Sequence, residues 1–211
     1  MKVLLLNGSP HQNGCTRAAL DEIARTLAEE GVDTEIFHIG TKPVSGCTSC
    51  RGCAKIGKCV IDDGVNGFLE LAQSADGFVF ASPVHYAAAS GAVTSFLDRA
   101  FYTDLSAGKN VFYLKPGAAV VSARRAGTTA ALDQLNKYFT ISQMPVISSR
   151  YWNMVHGAEP GDVKMDLEGL QTMRVLARNM AWFLRCKEAG DRVGVPLPEK
   201  EENLRTNFIR K

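Results

Sequence analysis

The chain has 211 residues, 45% hydrophobic and 22% charged, which excludes collagen-like, coiled-coil and disordered chains. A chain of this length buries roughly 70% of its unfolded surface, enough for one core. The formal net charge of +2 is too small for binding phosphate backbones through counterion release, so nucleic acid is not an expected partner.

Val3-Leu4-Leu5-Leu6 is a continuous apolar run ending at Asn7-Gly8-Ser9-Pro10, the pattern of a central strand buried on both faces. Ala18, Leu20, Ile23, Ala24 and Leu27 recur at helical spacing, with Gly31 as the stop. Thr34 to Ile39 alternates as a second strand. A cysteine-bearing loop follows, then a helix over Val65 to Ala75 and a third strand at Gly77 to Ala81, ending in Ser82-Pro83. Gly91 to Tyr102 carries Val93, Phe96, Leu97 and Phe101 on one helical face. Ala118 to Val121 makes a fourth buried strand, with Val111 to Leu114 as a candidate for its beginning. A helix over Thr129 to Phe139, a short strand at Val146-Ile147 and a long helix over about Asp162 to Glu188 complete the set. Five strands alternating with five helices predict right-handed crossovers, a parallel sheet and a three-layer doubly wound fold. Residues 1–190 read as one domain, with a cysteine-rich loop at 46–60. Residues 191–211 read as a polar arm that frays or wraps a partner subunit.

Four of the six cysteines fall within thirteen residues, as Cys47-x2-Cys50-x2-Cys53-x5-Cys59, while Cys15 and Cys186 stand apart. Disulfide frameworks belong to short secreted chains, and the apolar run at the N-terminus is too short for a signal segment. No run approaches the roughly 18 apolar residues of a membrane span. The expected location is the cytoplasm, where clustered cysteines more often hold metal than pair. Zinc sites usually separate two Cys pairs along the chain. Three cysteines at consecutive x2 intervals favour an iron–sulfur group over tetrahedral zinc, with plain reduced thiols as the remaining alternative.

Ligands of open parallel sheets sit at the carboxyl ends of the strands, where strand order reverses. The exit of the first strand, Asn7-Gly8-Ser9-Pro10-His11-Gln12-Asn13-Gly14-Cys15-Thr16, offers glycines, hydroxyls and amides before a helix N-terminus, a setting that favours a phosphate. Neither G-x-G-x-x-G nor the Walker loop is present, so a mononucleotide phosphate fits better than a dinucleotide or triphosphate. The run G-S-P-x-x-x-G-x-T resembles the phosphate loop of the flavodoxin-like NAD(P)H-dependent FMN reductases. Ser82-Pro83-Val84-His85-Tyr86, followed by Ser90-Gly91 and Phe96-Leu97-Asp98-Arg99, is similar to that family's second turn and the helix after it. The resemblance spans nearly the whole chain. It implies a flavodoxin-like five-stranded parallel sheet in the order 2-1-3-4-5. It further implies that Ser9, His11, Asn13, Gly14, Cys15 and Thr16 hold the phosphate of FMN, and that Pro83, Val84, His85 and Tyr86 hold its ring. Relatives more often have Tyr or Phe where His85 stands. By the same resemblance the exit of the fourth strand, Ser122, Ala123, Arg124, Arg125 and Gly127, brings backbone amides and Arg124 to the pyrimidine end of the ring.

Joined to an FMN fold, the cysteine spacing resembles that of the iron–sulfur flavoproteins. It implies a [4Fe-4S] cluster on Cys47, Cys50, Cys53 and Cys59. The implied activity takes electrons from NAD(P)H or a ferredoxin-type donor to a small-molecule acceptor such as a flavin or quinone. The flavin N5 carries the chemistry and no side chain acts as an acid–base catalyst. A homodimer or homotetramer is expected, because a flavin at the edge of so small a sheet needs covering. Two alternatives stand beside this reading: a flavodoxin-like electron carrier, which the +2 charge disfavours, and a zinc- or redox-sensing protein built on the four cysteines. Cys15 reads as a small loop residue and Cys186 as packing. His38 and His156 read as structural, and Tyr151-Trp152-Asn153 as a stretch able to cover a flavin.

Overall fold

The computed structural model of the chain describes residues 1–202 together with 204, 206 and 208; the rest of the expected 191–211 arm lies outside the described residues. Strands β1 (Lys2–Asn7), β2 (Asp33–His38), β3 (Gly77–His85), β5 (Gly117–Ala123) and β6 (Met154–His156) form a parallel sheet in the order β2-β1-β3-β5-β6. A two-residue strand, β4 (Ala88–Ala89), pairs antiparallel with the end of β3. Counted over the parallel strands, this is the expected 2-1-3-4-5 order, with the reversal between β1 and β3.

Alternation along the strands assigns the two faces. Leu4, Leu6, Phe78, Phe80, Ala119 and Val121 meet helices α3 (Gly64–Gln73), α4 (Gly91–Ala107) and α5 (Thr128–Ile141). Val3, Leu5, Val79, Ala81, Ala118 and Val120 meet α1 (Cys15–Glu29), α6 (Pro160–Met165) and α7 (Leu167–Arg192). Every residue of β5 is buried, as its unbroken apolar run requires.

Four local expectations are corrected. Val146 makes only an isolated bridge to Gly117, and the fifth parallel strand forms later, at Met154–His156. Ile147 and Val155 are both buried, so the difference lies in pairing: Met154–His156 runs alongside Val121–Ala123 for three residues, whereas the earlier segment touches β5 at one bridge. Val111 to Leu114 is not a strand: Asn110 and Leu114 adopt positive φ, and Phe112 leaves the sheet direction to stack on Phe101 at 4.2 Å. The single terminal helix is two, because Asp166 breaks helical geometry (ψ 75°) and caps α7 by accepting from the Gly169 N–H at 2.9 Å. Cys186 is exposed rather than packed; the inward stripe of α7 is Met173, Leu176, Met180 and Leu184, and Cys186 falls off it. The cysteine loop also contains one short helix, α2 (Gly52–Ile56), that periodicity could not reveal.

Candidate functional site

The loop leaving β1 is organised by its own polar groups. The Asn7 carboxamide accepts from the Ser9 N–H at 3.2 Å and donates to the Gln12 carbonyl at 3.0 Å, while Ser9 Oγ accepts from the His11 N–H at 3.1 Å. The loop is pinned from below by His38 Nε2, 2.8 Å from the Ser9 carbonyl, and by the Gly8 N–H donating to Ala81 at 2.9 Å. Gly8 is required at this crossing: a Cβ there would lie 2.1 Å from Val93 Cγ2 and 2.6 Å from the Ala81 carbonyl. Gly14 is the N-cap of α1 and provides no side-chain cap, and no acid occupies the first turn. The first amides of α1 are therefore left to a ligand, with the positive end of the helix dipole behind them. Burial, the largest influence, raises the Cys15 thiol above its ordinary pKa, with the carboxylates of Asp162 and Glu159 acting in the same direction. Cys15 is thus a neutral small residue of this loop.

Three strand exits converge on one cavity of about 710 Å³, in the size range of cofactor sites. Its walls are Ser9 to Thr16 apart from Pro10, then Pro83, Val84 and His85 at the end of β3, then Ser122, Ala123 and Arg124 at the end of β5. The Thr16 and Ser122 hydroxyls lie 2.8 Å apart and tie the first loop to the third. All six residues expected around the phosphate stand on this wall. Tyr86, Arg125 and Gly127 do not. Tyr86 and Ala87 both adopt positive φ at the tip of the β3–β4 hairpin, which turns the Tyr86 ring fully into solvent. Arg125 is exposed beyond the wall. Gly127 starts α5 with φ 96°, packed so close that a Cβ would sit 2.6 Å from Ala87 Cα, so it supports the hairpin from behind. Tyr151 and Trp152 are half-exposed and contact each other edge to face, away from the cavity wall of their own chain.

A fourth wall was missed by sequence reading: Gly157, Ala158, Glu159 and Pro160, between β6 and α6. The signal was present as a helix start, with Pro160 in the first turn and the Asp162 carboxylate accepting from the Ala158 and Glu159 N–H groups at 2.9 and 3.1 Å. Placing the fifth strand at Val146-Ile147 hid it.

All four clustered cysteines line a second, small cavity of about 20 Å³, together with Arg51, Val60, Arg99 and Tyr102 among others. All are free thiols. Cys53 is buried on α2, Cys59 is partly buried, and Cys47 and Cys50 are exposed. The Gly52 N–H, followed by the Thr48 hydroxyl, draws the Cys50 thiol below its ordinary pKa. Among the described residues, no three His, Cys, Asp or Glu side chains converge closely enough to hold a metal ion in this arrangement. Three further residues, to which the sequence assigned no role at the cysteines, fix Cys59. Asn66 holds its backbone on both sides, at 2.9 and 3.0 Å, and the buried Arg99, paired with Asp63, donates to its sulfur.

Residues 1–159 match the family of NADPH-dependent FMN reductases. The chain belongs to this family. Within it, the chain is 33% identical over 187 residues to an iron-sulfur flavoprotein of Methanocaldococcus jannaschii, covering 86% of the chain and 96% of that relative. An iron-sulfur flavoprotein of Archaeoglobus fulgidus is 27% identical over 87% of the chain and 97% of its own length. Among solved structures, RosB with a bound 8-demethyl-8-formylriboflavin-5'-phosphate intermediate superposes with a TM-score of 0.68. It is 16% identical and covers 100% of this chain and 94% of its own. An archaeal flavodoxin gives a TM-score of 0.58 at 17% identity, covering 88% and 99%. These two likenesses establish the shared flavodoxin-like fold.

FMN, which the family implies, fits the residues present. The large cavity is walled by three strand exits, and at one end of it stands an uncapped helix N-terminus without an acid in the first turn. An iron–sulfur group fits the cysteine loop by donor chemistry: four free thiols on one cavity with a guanidinium aimed at one of them. Among the described residues no helix is long and apolar enough to cross a membrane.

Proposed function

We propose that this FMN-dependent oxidoreductase takes electrons from NAD(P)H or a ferredoxin-type donor and passes them to a small-molecule acceptor of the flavin or quinone kind. We further propose a [4Fe-4S] cluster on Cys47, Cys50, Cys53 and Cys59 as the one-electron relay. The observation that carries the reading is the convergence of the β1, β3 and β5 exits on one cavity at the bare N-terminus of α1. Bound FMN would supply two-electron chemistry at N5 and single-electron transfer onward. Ser9, His11, Asn13, Gly14, Cys15 and Thr16 would bind the phosphate through backbone amides and hydroxyls. Pro83, Val84 and His85 would flank the ring, with Tyr86 at the hairpin tip free to fold over it. Ser122, Ala123 and Arg124 would face the pyrimidine end, with Arg125 and Gly127 shaping that loop from behind. Positive charge from Arg124 favours the anionic reduced ring. The names of the two iron-sulfur flavoprotein relatives support the cluster.

The test is an absorbance spectrum, with iron and zinc analysis, of anaerobically purified protein, followed by NADH and NADPH oxidation with free flavin or a quinone. Flavin peaks over a broad iron–sulfur band with nucleotide consumption support the reading. A colourless protein that takes up no FMN and holds stoichiometric zinc overturns it. A flavin-loaded protein that exchanges electrons with a ferredoxin but reduces neither free flavin nor a quinone is a carrier.

A further inference from the structure

We propose that Arg99 is the positioning residue of the cysteine loop: through two hydrogen bonds to the Cys59 sulfur it sets that ligand and raises the reduction potential of the group the four cysteines hold. The inference rests on the cluster reading above. Arg99 is 1% exposed, yet it lies on α4 beside an aromatic core in which a Met or Leu would pack without a charge to compensate. Its five N–H groups make six contacts, so one hydrogen of Nη2 is shared between two acceptors. Nη1 and Nη2 meet the two Asp63 oxygens at 2.5 and 2.9 Å, a bidentate pair that fixes the guanidinium plane. In that orientation Nε and Nη2 both point at Cys59 Sγ, at 3.3 and 3.2 Å. The remaining bonds reach the carbonyls of Ser45 at 3.4 Å and Ile61 at 3.1 Å, so one guanidinium ties together the entry and the exit of the cysteine segment.

A thiol sulfur is a weak acceptor, and a buried guanidinium seldom spends two donors on one. A thiolate bound to iron is a strong acceptor, and it is the group that this fork matches. Asn66 holding the Cys59 backbone on both sides leaves the sulfur little freedom to turn away. Among the described residues, no arginine donates to any of the other three clustered cysteines, so the contact singles out Cys59. Hydrogen bonds and positive charge at ligand sulfurs favour the reduced, more negative form of a cluster and so raise its potential.

The experiment compares wild type, Arg99→Lys and Arg99→Gln after anaerobic reconstitution. It reads FMN content, iron content, cluster midpoint potential, the electron paramagnetic resonance of the reduced cluster, and the urea midpoint of the metal-free chain. The expected result is normal FMN in all three, with potentials moved to more negative values, further in Arg99→Gln than in Arg99→Lys. A lysine keeps the charge but cannot present two N–H groups in a fork. Unchanged potential and resonance in both iron-loaded variants overturns the inference and leaves the cluster reading standing. Iron lost from Arg99→Lys with FMN and urea midpoint unchanged supports positioning; iron lost together with a lowered midpoint overturns it in favour of scaffolding. A wild-type chain that takes up FMN but no iron overturns the cluster reading and this inference together.

Discussion

Gly8 carries the crossing of the first loop over β3, and the space there is closed by backbone and by Val93. Gly8→Ala is expected to cost about 1–3 kcal/mol through overpacking and to weaken FMN binding, because the loop must lift off Ala81 to admit the methyl. Urea unfolding and fluorescence titration with FMN measure the two effects. The Thr16–Ser122 hydroxyl pair joins two strand exits inside the cavity wall. A double-mutant cycle with Thr16→Val and Ser122→Ala should return a coupling of about 0.5–1.5 kcal/mol, the net value of one buried hydrogen bond. These residues show how far local pattern reaches. Gly8, Ser9 and Thr16 stood out in the sequence because a strand exit before a helix demands such residue types. Arg99, at the end of Phe96-Leu97-Asp98-Arg99, did not, because its role depends on Asp63 and Cys59, which only folding brings beside it.

At the scale of elements, the joint between α6 and α7 and the hairpin at β3–β4 decide the shape of the cavity. Asp166 has three roles: it ends α6, caps α7 through Gly169, and accepts from the His156 N–H at 2.7 Å. Asp166→Ala should lose about 1–3 kcal/mol, since a cap is removed and the end of β6 is left with an unpartnered amide. The loss is read as a lowered urea midpoint at unchanged m-value. Gly127→Ala should fail more visibly, because φ 96° and the 2.6 Å approach to Ala87 Cα leave no place for a methyl. The expected outcome is a displaced hairpin and reduced affinity for FMN, with the fold retained by circular dichroism. The helix break at Asp166 escaped periodicity because the apolar stripe continues across it, from Val163 to Leu170. The true last strand escaped because Met154-Val155-His156 and Val146-Ile147 are both too short to carry a period, and only pairing along β5 separates them.

For the whole molecule, pH is the simplest probe of the ion pairs. Burial opposes ionisation of Asp63 and Glu22. It is outweighed by the hydrogen bonds from Arg99 on the first and from Arg174 and Arg25 on the second, so both carboxyls sit below their ordinary pKa. A depressed carboxyl contributes stability that is present above its unfolded pKa and lost as pH falls through the folded one. Asp104, raised mainly by burial, works in the opposite sense. With two depressed groups against one raised, the urea midpoint should fall between about pH 4 and pH 2, and Arg99→Gln should flatten the part due to Asp63. The general class of the molecule was legible from the order of its elements: alternating buried strands and amphipathic helices of these lengths have few packings other than a doubly wound parallel sheet, and the first-strand loop lies at the strand ends where such sheets bind ligands. The sequence by itself determined the doubly wound α/β class and singled out the polar loop at the exit of the first strand, because those follow from period and local chemistry. Only the tertiary structure decided which residues close the cavity from the β6 side, that Tyr86 turns outward, and that Arg99 reaches Cys59 across 40 residues. Those are contacts between segments far apart in the chain, set by packing, and no spacing within a single segment encodes them.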